Sequence, residues 1–380
     1  MKNFVKLIQQ VHEERYLKVK NNLINENIPV TFLSLDNTTK STEIVKKFRT
    51  QNWNIKTLVV ASDIPPESDL DFDVFTTNEV TKIPHTSRHE YVLVTNFLAA
   101  RVAKKLLPSS KALLIDNGDR NQYYETFMNH LSELQEVYES LIDEESKKTF
   151  CGYWLANIAS QPSRIIHSNA AHYLINGFIP KRGAVAIDAG VFYGGTATVF
   201  SEMGYKVYGF EMDKKNYELS LKVAKEKNFV VENLGLGSYK HMAHYNPGWG
   251  SGSFLTEKGS EKTQITTIDA YAREKNLPSV DFIKMDVEGA ELDILKGAKT
   301  TIARFKPILA LSAYHKVDDF WTLMNFVKSI RPDYEFAMRQ SYETPEEEPA
   351  NFNDERIKYL IYLNLEPDLR NWHECVLFAR

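Results

Sequence analysis

The chain has 380 residues, with 46 Lys and Arg against 50 Asp and Glu, for a formal charge of −4. At 43% hydrophobic and 25% charged residues it has the make-up of an ordinary globular protein of about two domains, which excludes wholesale disorder and collagen-like repeats. The mild acidity gives no long-range attraction for nucleic acid or anionic lipid, and no apolar run approaches the roughly 20 residues that cross a bilayer, so neither partner is expected.

From Met1 to Glu26, Phe4, Leu7, Ile8, Val11, Leu17, Leu23 and Ile24 recur among charged residues. That pattern predicts an amphipathic helix of a cytoplasmic protein rather than the continuous apolar core of a signal peptide. Apolar runs at 30–35, 57–61, 72–75, 91–94 and 112–115 then read as strands, interleaved with helical stretches such as 96–107, which predicts a small parallel sheet. Residues 1–150 contain a single glycine, Gly118, so this part lacks the raw material for a phosphate-cradling turn. His85 and His89 read as surface residues. Phe127, Leu131, Leu134, Val137, Leu141 and Ile142 recur near helical spacing and predict one long charged helix over 122–150.

From Lys181 the pattern is more regular. Strands are predicted at 184–189, 206–211, 229–234, 282–286 and 307–312, with helices starting near Gly194, Asp213 and Glu288, the signature of a doubly wound α/β sheet. Runs at 334–339 and 374–379 predict an antiparallel pair at the sheet edge, with 340–372 between them as an insertion. The expected organisation is an N-terminal α/β domain over 1–122, a helical connector over 123–180 and a catalytic domain over 181–380. Cys151 and Cys375 have no partner spacing for a disulfide framework or a zinc site and read as buried free thiols.

Three motifs carry chemistry. In the first, the apolar run from Ala184 delivers Asp188 to a strand end, followed by Gly190, Gly194 and Gly195. A strand, an acid and a glycine turn into a helix make a crevice where open α/β sheets bind ligands. The spacing D-x-G-x-x-x-G lacks the paired early glycines of a dinucleotide turn, which disfavours a nicotinamide-dependent oxidoreductase. In the second, the run from Val207 ends in Glu211, Met212 and Asp213. Glu211 is placed to accept from a ribose diol, and Asp213 to cap the next helix. The third, Lys284-Met-Asp286-Val-Glu288-Gly289-Ala-Glu291, brings Asp286 to the same sheet edge as Asp188 and Glu211. Three converging acids are costly unless they meet something cationic or polyhydroxylic, whereas Glu288 and Glu291 read as helix N-terminal charge.

Together these residues resemble the FkbM family of S-adenosylmethionine-dependent methyltransferases. The resemblance runs from about Tyr173 to the C-terminus: Asp188, Gly190, Phe192, Gly194 and Thr196; then Glu211, Asp213 and Asn216; then Lys284 through Glu291 with Leu295, Lys296 and Gly297. It continues into Ser312-Ala-Tyr314-His315-Lys316 with Asp318 or Asp319. Met212 stands where the family often has proline, and Tyr193 with Gly195 replaces a commoner acidic pair. The first 150 residues carry no family motif.

The resemblance implies a class I methyltransferase fold, S-adenosylmethionine as cofactor, and methyl transfer to a hydroxyl of a sugar, glycan or secondary metabolite. An aliphatic alcohol attacks well only as a base takes its proton. His315, just after a strand end, is the first candidate for that base. Asp286 is the second, or else it holds the methionine amino group. Gly190 and Gly194 allow close backbone approach, Tyr193 or Met212 lines the cofactor pocket, and Asp188 and Glu211 complete the cofactor set.

His241 and His244 could share a helix face, but with no third ligand nearby and with Gly248, Gly250 and Gly252 following, no metal is expected there. The segment reads instead as an active-site flap, with Ser251 and Ser253 as polar contacts and Trp249 or Phe254 as covers. Outside enzymes, the competing reading is a cofactor- or sugar-binding scaffold module that has lost turnover. Such a scaffold would act through residues 1–150, and the N-terminal domain, 1–122, is the expected seat of any homo-oligomer contact.

Overall fold

The computed structural model describes the chain outside residues 36–37, 61–69, 96–98, 100–101, 104–105, 115–120, 160–163, 248–252, 257 and 342–373. The chain divides into two compact units. The first takes Met1–Leu131 and Phe150–Ile166; the second takes Ser132–Thr149, the described residues of His167–Phe352, and Glu374–Arg380. Among the described residues no helix is long and apolar enough to cross a membrane.

The first unit opens on helices Lys2–Val11 and Lys18–Asn25, joined by a π-helical stretch, His12–Leu17. Its sheet has five strands, β1 (Val30–Ser34), β2 (Ile55–Val60), β3 (Asp73–Thr76), β4 (Tyr91–Val94) and β5 (Lys111–Leu114), in the order β3-β2-β1-β4-β5 and all parallel. Side chains alternate across this sheet. Phe32, Leu58, Val60 and Leu93 enter one core, with Phe48 and Trp53, while Leu33, Val59, Val92 and Val94 enter the other, with Val102 and Ala156. Burial on both faces explains why these strands read as unbroken apolar runs. His85 is exposed, whereas His89 is half-buried with Nε2 3.4 Å from Thr57 Oγ1.

In place of one long helix over 122–150 there are three: Asn121–Asn129, Leu131–Ser140 and Glu144–Ile158. The break at 141–143 has a tertiary cause. Leu141 forms a bridge with Phe336, the Ile142 N–H donates to Phe336 O at 2.9 Å, and Asp143 Oδ1 accepts from the Ser146 N–H at 2.7 Å. Asp143 thus starts a new helix by capping it. Its carboxylate is also gripped by Arg339, whose two terminal nitrogens lie 3.1 and 2.9 Å from the two oxygens.

The second unit is built on seven strands: β6 (Val185–Ala189), β7 (Lys206–Phe210), β8 (Val230–Glu232), β13 (Phe282–Met285), β14 (Ile308–Ser312), β15 (Phe336–Arg339) and β16 (Val376–Ala379). Their order is β15-β16-β14-β13-β6-β7-β8. The strands from β14 to β8 run parallel, and β16 pairs antiparallel with both β14 and β15. The edge is therefore the antiparallel arrangement expected from the sequence. Successive strands step away from β6 in one direction and from β13 in the other, so the topological switch point falls between β6 and β13.

A smaller sheet, β11-β10-β12-β9, lies in the same unit, from β9 (Gly235–Leu236), β10 (His241–Asn246), β11 (Phe254–Leu255) and β12 (Glu261–Thr266). It corrects the reading that His241 and His244 could share a helix face, while Gly248, Gly250 and Gly252, from which a loop was read, lie outside the described residues. His241–Asn246 is a strand paired antiparallel with β12, so His241 and His244, three apart, point to opposite faces. Trp249 and Ser251 lie outside the described residues, as does the insertion after Ser341. Cys151 is half-buried and Cys375 buried, and both are free thiols.

Candidate functional site

A cleft opens at the carboxyl ends of β6, β7 and β13. Gly190, Glu211, Met212, Asp286 and Glu288 line it, with Ser253 just before β11 and Leu234, Leu236 and Ile294 as apolar walls. It stands beside the switch point, where strand ends splay apart.

The turn after β6 is set from beneath. Parallel pairing puts Lys284 of β13 next to Asp188 of β6, and Lys284 Nζ lies 3.1 Å from Asp188 Oδ1. Asp188 is completely buried, and burial pushes its pKa up against the pull of Lys284. Lys284 Nζ also donates to Gly190 O at 2.7 Å, fixing the carbonyl of the glycine turn. Asp188, expected in the cofactor set, is ion-paired with Lys284 beneath the turn and is not among the residues that line the cleft. Gly190 has φ +81°, and a Cβ there would lie 1.9 Å from Asp286 O, so only glycine lets the two strand ends approach this closely. Gly194, at φ +98°, packs against Phe229 and Val223 away from the cleft. Tyr193 is buried beside Phe192, their rings 3.5 Å apart, and is not among the residues that line the cleft.

Glu211 follows β7 and is 7% exposed. Its Oε2 accepts from the Phe192 N–H at 2.9 Å and its Oε1 from the Asp213 N–H at 2.8 Å. Burial pushes its pKa up to about 7, opposed by those two N–H donors. Each oxygen keeps a lone pair for a further donor from the cleft. Asp213 caps helix Lys214–Lys227 through the N–H groups of Lys215 and Asn216, and its other oxygen accepts from Ser253 Oγ at 3.2 Å. Ser253 is thus tied to the cap.

At the other end of the cleft, Asp286 Oδ2 accepts from Tyr173 OH at 2.9 Å and Oδ1 from Tyr314 OH at 3.2 Å. Burial would raise its pKa, but the charges of Lys284 and His315 and the Tyr173 hydrogen bond hold it below the usual aspartate value. His315 follows β14, with its side chain 8% exposed. Its Nδ1 lies 2.8 Å from Oε1 of the fully buried Glu291, and its Nε2 faces Asp286 Oδ1 at 3.5 Å and Glu288 Oε2 at 3.7 Å. Burial lowers the imidazole pKa, but the Glu291 hydrogen bond and the charges of Glu291, Asp286 and Glu288 overcome it and raise it to about 9. Glu291 is the helix N-terminal charge expected from the sequence, in the first turn of Glu291–Lys296, and it is also the buried partner of His315, accepting from the Val287 N–H at 3.1 Å.

The structure thus joins Gly190, Glu211, Met212 and Asp286 in one cleft, with His315 behind its acidic end. Tyr173 was not predicted to be part of it. It lies 113 residues from Asp286, 3% exposed, at φ +61°, with its ring 5.3 Å from Lys284 Nζ. No local spacing announces such a contact. Phe192 at φ +53° and Glu288 at φ +54° are further left-handed non-glycine residues around the cleft, the kind of backbone strain that collects at working sites.

Residues 188–347 match the family model described as the methyltransferase FkbM domain. The chain is similar in fold to the crystal structure of methyltransferase FkbM from Methylobacillus flagellatus KT, with TM-score 0.68 and 18% identity over 99% of this chain and 98% of that one. It is more distantly similar to a putative rRNA-methylase from Clostridium thermocellum, with TM-score 0.31 and 10% identity over 53% of this chain and 87% of that one. A putative methyltransferase from Streptococcus mutans in complex with SAH gives TM-score 0.28 and 13% identity over 52% and 89%. No curated protein matches the chain by sequence.

Proposed function

We propose, from the premise that residues 188–347 of this chain are an S-adenosylmethionine-dependent methyltransferase domain of the FkbM family, that the protein methylates a hydroxyl oxygen of a sugar, glycan or secondary metabolite. The observation that carries this reading is the pairing of an ionised carboxylate, Asp286, with an imidazole, His315, at one end of a cleft whose other end holds Glu211. A hydroxyl nucleophile needs such a proton acceptor, and a nucleoside needs such an acid for its ribose.

The residues fit the cofactor. Gly190 leaves bare backbone where a Cβ would collide, and Glu211 presents two carboxylate oxygens from the end of β7. Bound there, S-adenosylmethionine supplies an electrophilic methyl group on sulfur. Glu211 would hold the ribose hydroxyls and Met212 would line the cofactor's pocket. Asp188 would act through Lys284 to fix the Gly190 turn, and Tyr193 and Gly194 would shape the same turn from behind. Asp286 would take the acceptor's proton as the new bond forms, with Tyr173 and Tyr314 orienting the carboxylate and His315, first candidate for the base from the sequence but protonated below about pH 9 among its three acids, balancing the charge beside it. Residues 181–380 carry all of these groups except Tyr173. Within this reading residues 1–122 would be the N-terminal α/β domain and the proposed seat of self-association, and 123–180 a connector whose helices divide between the two compact units.

Pure protein incubated with methyl-labelled S-adenosylmethionine and an extract of candidate acceptors tests the reading. Label entering a carbohydrate or other hydroxyl-bearing fraction, and lost with Asp286→Asn, supports it. Tight cofactor binding without transfer to any acceptor would instead favour the scaffold reading.

A further inference from the structure

We propose that Glu288 determines which acceptors the cleft takes: its carboxylate accepts a hydrogen bond from a second hydroxyl, on the carbon next to the one methylated, so that the substrate is a vicinal diol. The inference rests on the hydroxyl reading above, with Asp286 as the proton acceptor. Of the acids lining the cleft, Glu211 is met by two backbone N–H groups and Asp286 by two tyrosine hydroxyls. Glu288 accepts no hydrogen bond from the described residues. The imidazole nitrogen it faces, His315 Nε2, is 3.7 Å from its Oε2, beyond hydrogen-bond reach. The helix that follows begins only at Glu291, and none of its N–H groups donates to Glu288.

The backbone holds this acid where a glycine would sit with less strain. Glu288 has φ +54° and Gly289 φ +93°, two left-handed residues in succession. Lys316 Nζ donates to the Gly289 carbonyl, and a Cβ on Gly289 would lie 3.2 Å from Lys316 Cε, so the turn is pinned with Glu288 on the cleft wall. Burial raises the Glu288 pKa, helped by the charges of Asp286 and Glu291 and opposed by His315. An acid kept under strain, in a place that disfavours its charge, has no part in the proton transfer assigned to Asp286. A donor from the bound acceptor gives it one.

The spacing suits two neighbouring hydroxyls. Asp286 Oδ1 and Glu288 Oε2 stand 3.5 and 3.7 Å from the same imidazole nitrogen and are therefore at most about 7 Å apart. Two hydroxyls on adjacent carbons, each donating over ~2.7 Å, span carboxylate oxygens up to about 8 Å apart. The first gives its proton to Asp286 during transfer; the second keeps its hydrogen and donates to Glu288. An ionised carboxylate only accepts, so an ether oxygen in the second place meets it lone pair to lone pair, and an isolated alcohol leaves it without a donor. A protonated amine is the other donor that would fit, and the experiment separates it from the diol.

The full chain, methyl-labelled S-adenosylmethionine and the extract of candidate acceptors test the proposal. Mass-spectrometric linkage analysis of the labelled product should find a free hydroxyl on the carbon next to the methoxy group. Acetylating the amines of the extract beforehand should leave the transfer intact. With the purified acceptor fraction, Glu288→Gly should lower kcat/KM ten- to a hundredfold, mainly by raising KM. Its affinity for S-adenosylhomocysteine should stay within about twofold, and its melting temperature should not fall, because glycine relieves the left-handed strain. Glu288→Gln, which keeps the side chain's shape, serves if the glycine variant does not fold. Label only on hydroxyls without a hydroxyl neighbour, loss of transfer on amine acetylation, or wild-type kcat/KM in both variants would overturn the proposal and leave the hydroxyl reading standing. Label on nitrogen, or on no acceptor at all, would overturn both.

Discussion

Gly190 is the residue with least freedom to change. Its backbone is left-handed and its missing Cβ makes room for Asp286 O, so Gly190→Ala combines conformational strain with a collision against main chain. The cost should be about 2–5 kcal/mol, read as a lower urea midpoint; an unchanged midpoint would contradict the close approach. Glu211 adds a pH signature. Its raised pKa means the folded protein holds a proton that the unfolded chain has lost, so its contribution to stability is present below the usual glutamate pKa and lost as pH rises toward about 7. The fall should be on the order of 3 kcal/mol and absent in Glu211→Gln. Ribose hydroxyls donate to the ionised form. Cofactor affinity should therefore rise about tenfold from pH 6 to pH 8 in the wild type, with Asp213 and Lys284 the neighbouring charges, and stay flat in Glu211→Gln. At this scale the sequence was informative wherever a residue sits in a local motif, as Gly190, Glu211 and Asp286 do. Tyr173 and the inward turn of Glu291 depend on contacts across the fold, which spacing along the chain does not encode.

The register of β6 against β13 decides more chemistry than either strand alone. It sets Lys284 beside Asp188 in the sheet interior, and from there Lys284 Nζ reaches the Gly190 carbonyl. Lys284→Met would leave Asp188 buried without its partner and should cost about 3–5 kcal/mol in denaturant melts. Adding Asp188→Asn should recover part of that loss; no recovery would mean the lysine works through the glycine turn alone. The central strands were legible because burial on both faces makes them continuous apolar runs. The break at 141–143 and strand β10 were not. The first is imposed by Phe336 and Arg339, nearly two hundred residues away, and the second by pairing with β12.

At the scale of the molecule, the second unit draws on Ser132–Thr149 as well as on the strands after His167. Arg339 is 9% exposed and spends its guanidinium on Asp143, Glu145 and Ser146. A fragment starting at residue 181 would strip those partners away and bare Phe336. It should melt lower than the full chain or fail to stay soluble, whereas equal thermal stability would show that the helices contribute nothing. The doubly wound order and the antiparallel edge followed from the sequence because each strand carries its own signal; the division between units did not, because it cuts through helices of similar composition. The most direct measurement is a crystal of the full chain with S-adenosylhomocysteine. The account predicts the nucleoside across the ends of β6 and β7, its ribose hydroxyls on Glu211 and its sulfur facing Asp286 and His315. A ligand bound elsewhere, or a ribose that makes no contact with Glu211, would contradict it.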